Sequence, residues 1–129
     1  MLNDPLANVL SAILTHEKTG KKELLVHPVS KTIRRVLAIM QERGYLGALE
    51  EMSESRGGFA KLNLLGNLNS CGVIKPRFAI KAAMFQKFEK RFLPANGVGI
   101  LILSTPHGFI THEQAREKGI GGRLIAYCY

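Results

Sequence analysis

At 129 residues, with 46% hydrophobic residues and a formal charge of +8, the chain has room for one domain or two small lobes and no more. It has no run of about eighteen apolar residues to span a membrane and no basic-then-apolar start of a signal peptide. Cys71 and Cys128 stand far apart with no metal-ligand spacing, which is expected of reduced thiols in a cytoplasmic protein, a disulfide being the minor option.

The first helix is expected to open at Asp4-Pro5, with Asp4 as N-cap and Pro5 where its missing N–H costs nothing. Leu6, Val9, Leu10, Ile13 and Leu14 then share one stripe at helical spacing, and Gly20 closes the region. A short strand over Glu23–His27 is interrupted by Pro28. Ser30 suits the N-cap of a second helix, whose Ile33, Val36, Leu37 and Met40 keep the helical repeat until Gly44 ends it. Strands over Tyr45–Met52 and Phe59–Leu65 follow, joined by a turn carrying Gly57-Gly58. From Gly66 to Pro76 the composition turns to Asn, Ser and Gly, which marks a junction between lobes. Residues 1–67 are thus expected to form an α-β-α-β-β lobe, and residues 68–129 a second.

Lys75-Pro76-Arg77-Phe78 enters the second lobe extended, because the residue before a proline avoids helix. A helical segment over Ala82–Phe92 puts Phe85, Phe88 and Phe92 on one stripe, expected as core rather than as base-stacking groups, and Pro94 stops it. Val98–Leu103 is a short apolar run expected as a strand buried on both faces. Ser104-Thr105-Pro106-His107-Gly108 reads as a tight turn, followed by a short apolar step. His112–Lys118 reads as a helix with Glu113 in its first turn and Lys118 in its last, as the helix dipole favours. Gly119-Ile120-Gly121-Gly122 then opens a terminal strand, Arg123–Tyr129. The fold class is α+β in two small lobes, the second mostly antiparallel β with short helices.

The charge is unevenly spread. Residues 1–70 carry nine bases against seven acids, and residues 71–129 nine against three. A cationic half favours polyanions, nucleic acid before an anionic membrane. Lys31 and Arg34, in the first turns of the second helix, add cations beside free N–H groups that suit phosphate. Bond-making chemistry finds less support. Ser104 and His107, with Glu113 to orient the histidine, are the parts of a serine hydrolase, but two residues three apart in one turn are poorly placed to hydrogen-bond. Hydroxyls at turns more often bond their own backbone. His16, His27, His107 and His112 form no i, i+4 pair, so neither a metal nor a cofactor is expected. Gly119, Gly121 and Gly122 follow a helix and precede a strand, the reverse of a nucleotide cradle, and fit a close approach of backbones.

Five segments in order resemble one family: Asp4-Pro5-Leu6-Ala7-Asn8; Pro28 with Ser30-Lys31; Cys71-Gly72-Val73-Ile74-Lys75-Pro76-Arg77-Phe78; Ser104-Thr105 with Gly108; and Gly119 through Gly122 with the aromatic end. They resemble the eighth protein of the small ribosomal subunit in its archaeal and eukaryotic form. The resemblance implies a non-enzymatic cytoplasmic protein that binds the central domain of small-subunit ribosomal RNA early in assembly, beside neighbouring ribosomal proteins. It implies RNA contact at Ser104, Thr105 and Gly108, a close approach of the RNA backbone at Gly121 and Gly122, and a second contact from Lys31 at the start of the second helix; His107 in the same turn and Arg34 in the same helix are expected to join them. Pro106 departs from the family, standing where a hydroxyl residue is common, and removes a side-chain donor and a backbone N–H. A free regulator of its own messenger RNA is the alternative, and a small serine hydrolase the remote one. On this reading Thr105→Val weakens RNA binding with little change in folding.

Overall fold

In the computed structural model, which describes residues 5–26, 31–52, 59–75, 77, 79–81, 84–95 and 98–129, helix α1 runs Pro5–Lys18 and buries Leu6, Val9, Leu10 and Ile13. Leu14, at the margin of that stripe, is half-buried. Strand β1 is Glu23–Val26, helix α2 is Lys31–Glu42, and strands β2 and β3 are Leu46–Met52 and Phe59–Leu64. Helix α2 buries the four expected residues and also Ile39. The three strands form an antiparallel sheet in the order β1-β3-β2. Leu24 faces Leu62 and Val26 faces Ala60 across it, all four buried, so apolar alternation sets the register. The expected roles of Asp4, His27, Pro28, Ser30, Gly57, Gly58, Pro76, Phe78 and Ala82 lie outside the described residues.

By internal contacts the chain divides into two compact units, residues 1–70 and 71–129. The second holds β4 (Cys71–Val73), β5 (Ala79–Ile80), α3 (Phe85–Phe92), β6 (Ile100–Thr105), β7 (Gly108–Thr111), α4 (His112–Lys118) and β8 (Gly122–Cys128). Its sheet runs β4-β8-β6-β7, with β5 also paired to β8. All these pairs are antiparallel, in keeping with an α+β fold.

Three sequence expectations change here. The segment read as part of a junction contains β4, because Cys71–Val73 finds backbone partners on the distant β8. The strand expected over Val98–Leu103 starts and ends two residues later. Ser104 continues its ladder to both neighbours and Thr105 its ladder to β7, while Val98 makes only an isolated bridge to Ala95. The short apolar step after the turn is itself strand β7, so the turn is the tip of a β6–β7 hairpin.

Phe85 and Phe88 of α3 and Ala115 of α4 pack with Leu101, Leu103 and Leu124 of the sheet in one buried cluster. The phenylalanine stripe is core, and Phe92 lies half-buried at its rim, stacked on Tyr127 at 5.6 Å between centroids. Lys87, Lys90 and Arg91 are exposed, the Arg91 guanidinium lying over the Phe92 ring at 5.3 Å from its centroid. Ile100 and Ile102, alternating with the clustered leucines, are equally buried, so β6 is enclosed on both faces.

Candidate nucleic-acid interface

The β6–β7 hairpin closes with Thr105 opposite Gly108, leaving Pro106 and His107 as a two-residue tip. Pro106 takes a corner position that its fixed φ suits and that needs no ladder N–H. The Thr105 hydroxyl holds the tip together: it donates to Gly108 O at 2.8 Å and accepts from the His107 N–H at 3.1 Å. Gly108 turns back into β7 at φ +113°, a conformation L side chains rarely adopt. Thr105 therefore spends its donor inside the protein, contrary to the expectation that its loss would leave folding unchanged.

Two cross-strand rows end at this tip. Ala79, Arg123, Ser104 and Phe109 form one across β5, β8, β6 and β7. Ile80, Gly122, Thr105 and Gly108 lie in the next, since Ile80 pairs with Gly122 and Thr105 with Gly108. The first row is open: Ala79 and Arg123 are exposed, Ser104 and Phe109 half-buried. A cleft of about 540 Å³ lies over the rows and is lined by Ala79, Ile80, Lys81, Ser104, Thr105, Pro106, Gly122 and Arg123. Among the described residues the Ser104 hydroxyl makes no hydrogen bond, and neither Lys81 nor Arg123 has an ion-pair partner. A free hydroxyl and two uncommitted cations lining one cleft with small residues suit a phosphate or ribose edge.

The glycines have an internal explanation. A Cβ on Gly121 would lie 2.1 Å from Ile80 O, and one on Gly122 would lie 2.7 Å from Ser104 O and 2.9 Å from Thr105 Cγ2. Both positions admit only hydrogen because the protein's own strands approach them. That accounts for both without invoking RNA.

Of the expected site residues, Ser104, Thr105 and Gly122 share the cleft, with Gly121 adjacent in sequence. His107 is exposed at the hairpin tip and Gly108 follows it. Lys31 and Arg34 are exposed in α2, in the other unit. Lys81, Arg123 and Phe109 were missed. Their charge or aromatic character was visible, but their place beside Ser104 depends on strand pairings remote in sequence.

A largely buried polar cluster ties α3 and α4 to the sheet at the far end of β7. Strand β7 ends at Thr111, and the next ladder donor, the Leu101 N–H, is taken up by His112 Nδ1 at 3.0 Å. The other ring nitrogen, Nε2, lies 3.2 Å from Glu89 Oε1, and Arg116 donates to the same carboxylate. Burial pulls the His112 pKa below its ordinary value, against the pull of Glu89 and Glu113 and with the help of Arg116. Nδ1 cannot take a proton without losing the Leu101 bond. Helix α4 starts just there on a reciprocal cap, Thr111 Oγ1 accepting from Gln114 N and Gln114 Oε1 accepting from Thr111 N. It ends at Gly119, whose N–H reaches Ala115 O and Arg116 O.

The hydrolase arrangement does not form. The Ser104 hydroxyl makes no bond to His107, whose backbone N–H is bonded to Thr105. Among the described residues no group of three histidine, cysteine or acidic side chains is placed to hold a metal, and no helix is long and apolar enough to cross a membrane. Compared with known families, residues 4–129 match the model of the family described as ribosomal protein S8.

Proposed function

The chain belongs to the ribosomal protein S8 family, and from that premise we propose that it reads the central domain of small-subunit ribosomal RNA with the open row of its second unit. As a member it is a structural protein of the small ribosomal subunit that binds ribosomal RNA, and it is not an enzyme. The proposal adds the archaeal and eukaryotic type, a role early in assembly in the cytoplasm, and a division in which residues 68–129 carry most of the RNA contact. The observation that carries it is the cleft, which the uncommitted Ser104 hydroxyl lines together with Lys81 and Arg123.

Helical RNA is read mainly by shape, through 2′-hydroxyls and phosphates, and small hydroxyl and glycine surfaces approach it more closely than long side chains. Ser104 is the reading hydroxyl, while Thr105, Gly108 and His107 set the shape of the tip. Gly121 and Gly122 serve the RNA indirectly, by letting β5, which Lys81 follows, and β6, which carries Ser104, close onto β8. Lys31 and Arg34 supply a sequence-blind contact from the first unit. Cations in the first turns of α2 sit against the helix dipole, an arrangement that a bound phosphate offsets.

Hydroxyl-radical footprinting of the full chain on small-subunit RNA tests both partner and site. Protection confined to the central domain, lost on Ser104→Ala with Arg123→Ala, is expected; protection elsewhere would refute the reading. The same surface serves the alternative, binding to the protein's own messenger RNA. Co-sedimentation with small subunits separates the two.

A further inference from the structure

We propose that Cys71 and Cys128 are an oxidisable cross-strand dithiol, a modification site at which a peroxide closes a disulfide between β4 and β8. The inference is independent of the RNA reading. Both residues are reduced and buried, and they are register partners on adjacent antiparallel strands. Gly72 is opposite Tyr127 and Val73 opposite Ala126 in the same register. The Ile74 N–H then donates to Ile125 O at 2.9 Å, which makes Ile74–Ile125 a hydrogen-bonded pair. Bonded and non-bonded pairs alternate along an antiparallel ladder. Gly72–Tyr127 is therefore bonded, whereas Val73–Ala126 and Cys71–Cys128 are non-bonded.

That parity matters. In a non-bonded pair the Cα atoms sit about 4.5 Å apart, with both side chains on one face and at their closest. A disulfide accepts Cα separations of about 4.4–6.8 Å, so this pair falls inside the window without moving a strand.

Access decides when the bond forms. Cys71 is 5% exposed and Cys128 fully buried, and buried thiols react slowly. Strand β4, however, has only three residues and lies at the edge of the sheet, so its local opening is among the cheaper ones in the unit. Reaction follows that opening. One sulfur, as thiolate, attacks a peroxide oxygen; the O–O bond breaks, a sulfenic acid forms, and the departing hydroxide takes the proton and leaves as water. The second thiol attacks the sulfenic sulfur and gives up its proton, and the S–O bond breaks to release a second water. Two electrons pass from the sulfur pair to the peroxide. The product ties the first residue of the second unit to the last residue of β8. Cys128 lies six positions beyond Gly122 on β8, about 20 Å along the strand, so the cleft is left unaltered.

The test treats the full chain with hydrogen peroxide under native conditions, blocks remaining thiols, and reads intact mass, linked peptides and thermal melts. The parent is expected to lose two hydrogens, to yield a Cys71–Cys128 peptide, and to melt roughly 5–15 °C higher than its reduced form. Cys71→Ser and Cys128→Ser, each keeping one thiol, should show neither the internal link nor the gain. Unchanged mass, oxygen addition without a link, or disulfide-joined dimers in the parent would each overturn the proposal. A linked peptide with no rise in melting temperature would overturn the claim that the link forms without moving a strand.

Discussion

The two units present their candidate RNA contacts from different kinds of support. In the first, β1 alternates exposed Glu23 and Leu25 with buried Leu24 and Val26, and the cations Lys31 and Arg34 project from an exposed helix face. In the second, Ile100 through Leu103 are buried on both faces of β6, and Ser104 follows directly on that enclosed run. A charge on a long stem can follow a phosphate wherever it lies, which gives affinity without selectivity. A hydroxyl at the end of a fully packed strand has little freedom, so it can discriminate. The difference predicts that the first unit's cations add affinity without selectivity, whereas the second unit, whose Lys81 and Arg123 also contribute to the salt dependence, sets the specificity.

The largest expected effect strikes the rigid support. Gly121→Ala places a methyl against Ile80 O, a backbone atom that cannot swing away. It should destabilise the protein by about 3 kcal/mol or more, read by urea unfolding, and abolish binding as a consequence. A variant as stable as the parent would mean β5 and β8 are not held as described. Next is Thr105→Val, which removes the bonds to Gly108 O and His107 N and should cost about 1–3 kcal/mol, divided between folding and RNA binding. Normal stability with weakened binding would return Thr105 to the role of direct reader.

A pH series probes another part of the second unit, where His112 joins α4 to β6. Because His112 is held below the ordinary histidine value of about 6.5, the unfolded chain takes up the proton first as pH falls. The contribution of His112 to stability is complete above about pH 6.5 and declines below it, towards the lowered value of the folded state. His112→Gln should flatten this part of the stability–pH curve, whatever its effect at neutral pH. An unchanged slope would mean another group carries the linkage.

The smallest effects belong to the first unit. Lys31→Ala or Arg34→Ala should weaken cognate and non-cognate RNA alike and reduce the salt slope by roughly one unit or less each, with melting unchanged. Selective loss of cognate binding would erase the contrast between the units.

Local signals carried much of this architecture. The stripes Leu6–Ile13 and Ile33–Met40 are helical repeats that packing merely had to accept, and Gly119 marked its helix end correctly. Strands β4 and β5, of three and two residues, have no such signal, because β8 alone pairs with them. The Thr111-to-Gln114 cap was legible as a Thr-x-x-Gln spacing and was overlooked. At the site, Ser104, Thr105 and the glycine pair were visible as a small-residue cluster. What Thr105 bonds and what the glycines make room for depended on Gly108, Ile80 and Ser104 being brought against them. Lys81 and Arg123 were ordinary surface cations until β5 and β8 placed them around Ser104.

The most direct test is the affinity of Ser104→Ala for a central-domain RNA hairpin and for an unrelated hairpin of equal length at the same salt. Removing a hydroxyl that meets RNA should cost about 1–2 kcal/mol on the cognate hairpin only, with melting temperature and salt slope unchanged. Equal loss on both hairpins, or none on either, would contradict a reading head at the end of β6.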